Sequence, residues 1–163
     1  MSIQYNSLRD FLDKWGMENL RIKTPFLDAT FKTSSEDSNA AWELYIEMLT
    51  RIATQKLPDE YGDEKAALDS IYQLFPLTRE ILKKYKTRCI EFLKIAVPVL
   101  NQIIRPFTSK WHTLSLKGAF EYKENCDKFR EDLKDLQSYL KKYMGMLAEM
   151  AGVEDLTELE ENS

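Results

Sequence analysis

The chain has 163 residues, 44% of them hydrophobic and 31% charged, with a formal net charge of −4 at pH 7. That length fits one domain with a continuous core, and the balance of apolar and charged residues excludes both a disordered acidic chain and a membrane protein. Charge is unevenly spread: residues 1–78 carry 8 Lys/Arg against 13 Asp/Glu, residues 79–148 carry 15 against 8, and residues 149–163 carry none against 6.

The opening MSIQYNSLRDF lacks the basic flank and apolar run of a signal peptide, so the expectation is a cytoplasmic protein. SLRDFLDKWG (7–16) reads as a short helix, with Ser7 as N-cap and Gly16 as its end. In LRIKTPFLDATFKT (20–33) the apolar residues Leu20, Ile22, Phe26, Leu27, Ala29 and Phe31 alternate roughly by two around Pro25. That pattern predicts a small β-hairpin or an extended arm. SSEDSNA (34–40) is a polar linker that starts a helix.

From residue 38 the period is helical. In SNAAWELYIEMLTRIATQ (38–55), Trp42, Tyr45, Leu49 and Ile52 form a stripe that Ala41, Leu44 and Met48 widen. LPDEYGDE (57–64) is a loop that places carboxylates at the start of the next helix, where the macrodipole favours them. That helix carries Leu68, Ile71, Leu74 and Phe75 inward, and Pro76 kinks or restarts it. Ile81, Leu82 and Tyr85 continue it. Residues 88–105 are apolar on nearly every side and read as the central helix, with Pro98 as its kink. Its apolar run FLKIAVPVLNQII (92–104) contains Lys94, Asn101 and Gln102, and it falls short of the roughly 20 residues that span a bilayer. The last long helix carries Cys126, Phe129, Leu133, Leu136, Leu140, Tyr143, Leu147 and Met150 at alternating spacings of three and four, a heptad-like seam. Gly152 is its C-cap. The fold class is therefore mostly α, a bundle of about five helices with a kinked central helix and a short N-terminal β element. Residues 1–157 form one domain, with 1–37 as an arm packed on it and 158–163 as a solvated acidic tail.

Four blocks in order, AAWELYIEMLTRIATQKLPDE, ALDSIYQLFPLTREIL, VLNQIIRPFTSKWH and LAEMAGVEDLT, resemble a family of small bacterial helical proteins without an assigned reaction, over about residues 15 to 157. The resemblance implies a bacterial setting near signalling or phage-defence functions and implies no binding residues.

Motif chemistry is sparse. A di-iron bundle needs Glu-x-x-His motifs from two helices, and the single histidine, His112, follows Ser109 at that offset. HExxH and Cys/His ligand spacings are missing, and Glu43 and Glu47, one turn apart, read as a solvated helix face. Cys89 and Cys126 have no CxxC partner and fall on or beside apolar stripes, where cysteine behaves as a small hydrophobe rather than the nucleophile of a dyad with His112. Their number suits a reducing compartment. Phosphate-binding glycine loops are missing as well. No cofactor and no metal site are expected.

Arg79, Lys83, Lys84, Lys86 and Arg88 form a basic run, followed by Arg105, Lys110, Lys117 and Lys123, with Tyr85 and Trp111 available for stacking. The run also closes a helix C-terminus, and a chain of sequence pI near 5.2 is poorly suited to general nucleic-acid binding. In IIRPFTSKWH (103–112), Phe107 and Trp111 are one turn apart and read as core anchors. Arg105, Lys110, Trp111 and His112 form the candidate ligand- or partner-binding group. The expected role is a non-enzymatic interaction module or small subunit, paired with a protein partner or a second copy through the seam of Phe129, Leu133, Leu136, Leu140, Tyr143 and Leu147. The alternative is a sensor that binds a small anionic, nucleotide-like ligand beside Arg105, Lys110 and His112.

Overall fold

The computed structural model describes residues 2–51, 53–60 and 62–160; it is 70% helical, and among the described residues it holds eight α-helical segments and one two-stranded sheet. Strand β1 (Gln4–Tyr5) leads into α1 (Leu8–Lys14), whose N-cap Ser7 accepts the Asp10 N–H at 3.1 Å. A single helical turn, α2 (Thr24–Leu27), precedes β2 (Phe31–Lys32). β2 pairs antiparallel with β1, Gln4 opposite Lys32 and Tyr5 opposite Phe31. The β element is present, but α1 lies between its strands. Pro25 sits in the first turn of α2, where its fixed φ favours a helix start, so the alternation at 20–33 becomes a turn plus one strand. The arm is part of the core. Leu8, Phe11, Leu12, Met17 and Phe31 are buried, and Phe11 stacks on Phe31 at 4.9 Å.

Helix α3 (Ser35–Leu49) starts with a capping box between Ser34 and Asp37. Asp37 is buried and serves a second helix as well: its Oδ1 accepts the Phe92 N–H at 3.0 Å, in the first turn of α6 (Ile90–Pro98). Among the described residues no cation pairs with this carboxylate, and it is tolerated because backbone N–H groups of two helix starts point at it. The face of α3 that enters the core is Ala41, Leu44, Tyr45 and Met48, while Trp42 stays 44% exposed and Leu49 half-buried. The stripe through Trp42 is thus corrected by one position, because α3 packs most extensively on the final helix and the small Ala40 and Ala41 permit that close approach. Ile52 of the expected stripe lies outside the described residues.

Helices α4 (Glu64–Tyr72, N-cap Asp63) and α5 (Leu74–Tyr85) form one run bent by 18° at residue 73. Pro76 supplies the cause, since it has no N–H for the Tyr72 carbonyl and its ring crowds that group. A 3-10 turn (Lys86–Cys89) then leads to α6. Between Pro98 and Pro106 the central helix widens into a π-helical turn, Val99–Ile104, in which the Arg105 N–H reaches the Leu100 carbonyl five residues back. α7 (Arg105–Leu116) continues from it. Two prolines eight positions apart each remove one i→i−4 bond, and the π turn takes up the slack.

The last helix, α8 (Lys123–Ala151), ends at Gly152 with φ +73°. Phe129, Leu133, Leu136, Leu140, Tyr143 and Leu147 are all buried, none more than 5% exposed. The seam is therefore the spine of the chain's own core and offers no surface for docking. Its heptad regularity follows from facing other helices along most of its length.

Ahead of the acidic tail, whose described residues 158–160 are exposed, α8 ends in a clamp. Glu149 accepts hydrogen bonds from Tyr5, from Lys14 at 2.6 Å and from the Trp15 indole N–H at 3.0 Å, fastening the N-terminal arm to α8. Burial raises the Glu149 pKa, but these donors outweigh it and leave the carboxyl below its ordinary value. Beyond α8 the chain folds back: the Leu156 N–H donates to the Tyr45 hydroxyl at 2.5 Å, and Glu158 pairs with Lys141 at 3.3 Å. Residues 161–163 of the expected tail lie outside the described residues.

Candidate functional site

Helix α7 carries the group singled out by its sequence, and it sends the four side chains to different places. Trp111 is buried, packing edge-on to Phe129 at 5.3 Å and stacked with Phe120 at 5.9 Å. Its indole N–H donates to Asp132 at 2.9 Å, and Lys110 pairs with the same oxygen at 2.7 Å. Both thus belong to the α7–α8 contact, Lys110 with its charge met and Trp111 as a core anchor. Arg105 and His112 lie on the side of α7 that meets α4 and α5. Arg105 has its guanidinium over the Phe75 ring at 4.7 Å, and His112 lines a cleft with Leu68, Asp69, Tyr72 and Thr108. Lys110 and His112 line different clefts, because 110 and 112 stand about 200° apart around a helix of 3.6 residues per turn.

The cysteines are placed as small hydrophobes. Cys89 is buried with its thiol on the Lys86 carbonyl, and Cys126 bonds the Phe120 carbonyl. Burial pushes both thiols up, Cys126 to about 11, which disfavours the thiolate a nucleophile needs. Among the described residues, no three or more His, Cys, Asp or Glu side chains are grouped to hold a metal ion, and no helix is long and apolar enough to cross a membrane. Glu43 and Glu47 are each engaged by a cation, Lys84 at 2.5 Å and Arg51 at 2.9 Å.

The concave surface that the sequence did not announce lies between α3 and α5. Trp42, Glu43, Ile46 and Glu47 of α3 face Leu77, Glu80, Ile81 and Lys84 of α5 across a groove of about 320 Å³. Each wall is a helical ladder at i and i+4, Trp42 with Ile46 and Leu77 with Ile81. Trp42 and Ile46 are 44% and 42% exposed, and the ring of Trp42 stacks on the buried Tyr45 at 6.0 Å, which holds it in place. Three carboxylates, Glu43, Glu47 and Glu80, rim the groove against two cations, Lys84 on Glu43 and Arg51 on Glu47. Glu43 Oε1 holds Lys84, whose pKa this hydrogen bond raises, and the Tyr85 hydroxyl lies against the same carboxylate. The signal in the sequence was the breadth of the apolar pattern of α3. Ala40, Ala41, Leu44, Tyr45 and Met48 already complete a core stripe, leaving Trp42 and Ile46 as a second apolar edge. Compared with known protein families, with curated proteins and with solved structures, the chain matches none.

Proposed function

We propose that the protein is a non-enzymatic interaction module whose α3–α5 groove receives an amphipathic helix of a protein partner, apolar on one face and carrying Lys or Arg beside it. The observation that carries this reading is the pair of exposed apolar residues one turn apart, Trp42 and Ile46, set among Glu43, Glu47 and Glu80. Exposed tryptophan is the residue type most enriched at binding hot spots, and two parallel apolar ladders fit the i, i+4 anchors of a docking helix. Charge complementarity selects the occupant: carboxylates outnumber cations around the groove, and a guanidinium replacing Lys84 would pair with Glu43 in bidentate fashion. The resemblance to small bacterial helical proteins supports placing the module in a cytoplasmic bacterial assembly, in signalling or phage defence.

The test uses two amphipathic peptides of the same Leu pattern, one with Lys and one with Glu on the polar face, titrated into the protein and read by Trp fluorescence. The Lys peptide binds, the Glu peptide does not, and Ile46→Glu weakens the Lys peptide by about tenfold or more. Equal affinity for both peptides, or an Ile46→Glu variant that binds as well as the parent, overturns the reading. Light scattering reads self-association separately: a dimer abolished by Ile46→Glu would make the occupant a second copy of the chain.

A further inference from the structure

A different face of the molecule carries two cations that no carboxylate among the described residues pairs with. Arg79 and Arg105, from α5 and α7, both place their guanidinium carbons over the ring of the buried Phe75, at 5.9 and 4.7 Å. Among the described residues neither is paired with a carboxylate; the Arg105 side chain donates to Asn101 in the preceding π turn at 3.2 Å. Two like charges against one ring repel each other, and an anion between them relieves that repulsion.

The surroundings continue this feature in one direction. The α4–α5 run supplies Leu68, Asp69, Tyr72, Phe75 and Arg79 in order, and α7 runs opposite to it, with His112 and Thr108 at the Leu68 end and Arg105 at the Phe75 end. Between α4 and α7 lies a cleft of about 380 Å³ lined by Leu68, Asp69, Tyr72, Thr108 and His112. The Tyr72 ring is 52% exposed at its mouth, 5.7 Å from Phe75 and tilted 40° to it. The helical rise sets Arg105 and His112 about 10 Å apart along α7. An elongated ligand with a planar apolar end and an anionic end matches this order of groups.

We infer that the α4–α7 face binds a nucleoside phosphate, its base in the cleft against Tyr72 and His112 and its phosphate held by Arg79 and Arg105. The planar guanidinium groups match phosphate oxygens in fork geometry, and Tyr72 offers a stacking face. Asp69 is placed as an acceptor for a sugar hydroxyl or a base amino group, away from the arginines; Lys65 already holds it at 2.9 Å. Lys110 has no part in this site because it serves Asp132 on the other side of α7. The site is separate from the α3–α5 groove, so each stands or falls alone.

The experiment is isothermal titration of the full chain at low salt with AMP and GMP, with adenosine, inorganic phosphate and a short single-stranded oligonucleotide as comparison arms. At least one monophosphate gives a one-site isotherm tighter than adenosine or phosphate alone. Arg105→Ala and Tyr72→Ala each weaken it by about tenfold or more, Arg79→Ala weakens it as well, and Lys110→Ala leaves it unchanged. Arg105→Lys, which keeps the charge but loses the fork, also binds more weakly, and thermal melts confirm that each variant is folded. The inference is overturned by absence of heat for every nucleotide at millimolar concentration, by affinity for phosphate equal to that for AMP with Tyr72→Ala silent, or by an oligonucleotide binding more tightly than the monophosphates.

Discussion

Gly145 lies in the middle of α8, where a helix usually gains about 1 kcal/mol when glycine becomes alanine. Here the sign reverses. A Cβ at residue 145 would sit 2.3 Å from Cζ3 and 2.8 Å from Cε3 and Cη2 of Trp15, so the indole packs directly on the backbone of α8. Gly145→Ala therefore pushes out a ring whose N–H holds Glu149 at 3.0 Å and over which Lys14 lies at 5.5 Å. Overpacking costs about 1–3 kcal/mol and the lost bond to a carboxylate about 1.5–3 kcal/mol, against the gain of about 1. The expected net loss is about 1.5–5 kcal/mol, lowering Tm by roughly 3–20 °C for a chain of this size. Urea denaturation followed by far-ultraviolet circular dichroism measures it, and a double-mutant cycle isolates its origin. In a Trp15→Ala background the clash is gone, and the same Gly145→Ala change should stabilise by up to about 1 kcal/mol. A Gly145→Ala protein that is more stable than the parent, or that shows the same effect in both backgrounds, refutes the reasoning.

Three further outcomes rest on other parts of the fold. Asp37→Ala removes a buried acceptor that serves the starts of α3 and α6, so it should destabilise by about 3 kcal/mol, read as a fall in urea midpoint at unchanged slope; a loss below about 1 kcal/mol would reduce Asp37 to an ordinary cap. The Glu149 carboxyl is held below its ordinary value of 4.5, so its stabilisation is present above that pH and is lost as pH falls through the lower folded value; Lys14, held above 10.5, contributes below that pH and loses its contribution as pH rises through its folded value. Melts across pH should thus show a gap between the parent and Glu149→Gln that is wide near neutrality and closes in acid, and a gap that persists unchanged at pH 3 would contradict the clamp. Cys89 and Cys126, both with raised thiols, should react with iodoacetamide at pH 7 far more slowly than in the urea-unfolded chain, and labelling at equal rates would show that one of them is activated.

Much of the helical layout was legible in short windows of the sequence. Ser7, Asp63 and Gly152 act within one turn of their own positions, and a cap or a proline leaves the same mark whatever packs above it. For this reason the existence and order of α1, α3, the α4–α5 run, the central helix and α8 were set by local chemistry. The seam of α8 was equally plain as apolar spacing, but spacing alone does not say whether a stripe meets its own chain or another. That choice was made by the tertiary structure, which wraps α3, α4 and α7 around it. The same holds for α3, whose apolar residues are numerous enough to define two faces. Only packing on α8 decided that Ala41 and Tyr45 go in and that Trp42 and Ile46 border a groove.

Contacts between distant residues account for the rest. Nothing near Glu149 in the sequence marks it as a clamp; Lys14 and Trp15, more than 130 positions away, are brought to it by the fold. Arg105, Lys110, Trp111 and His112 are neighbours in sequence, yet a 100° turn per residue points them at different helices, so Lys110 and Trp111 share Asp132 while Arg105 and His112 face α4 and α5. Local sequence specified the helices by itself. Which sides of them are core, clamp or open surface was decided by long-range packing, because a side chain's burial depends on the partner element that the fold places against it.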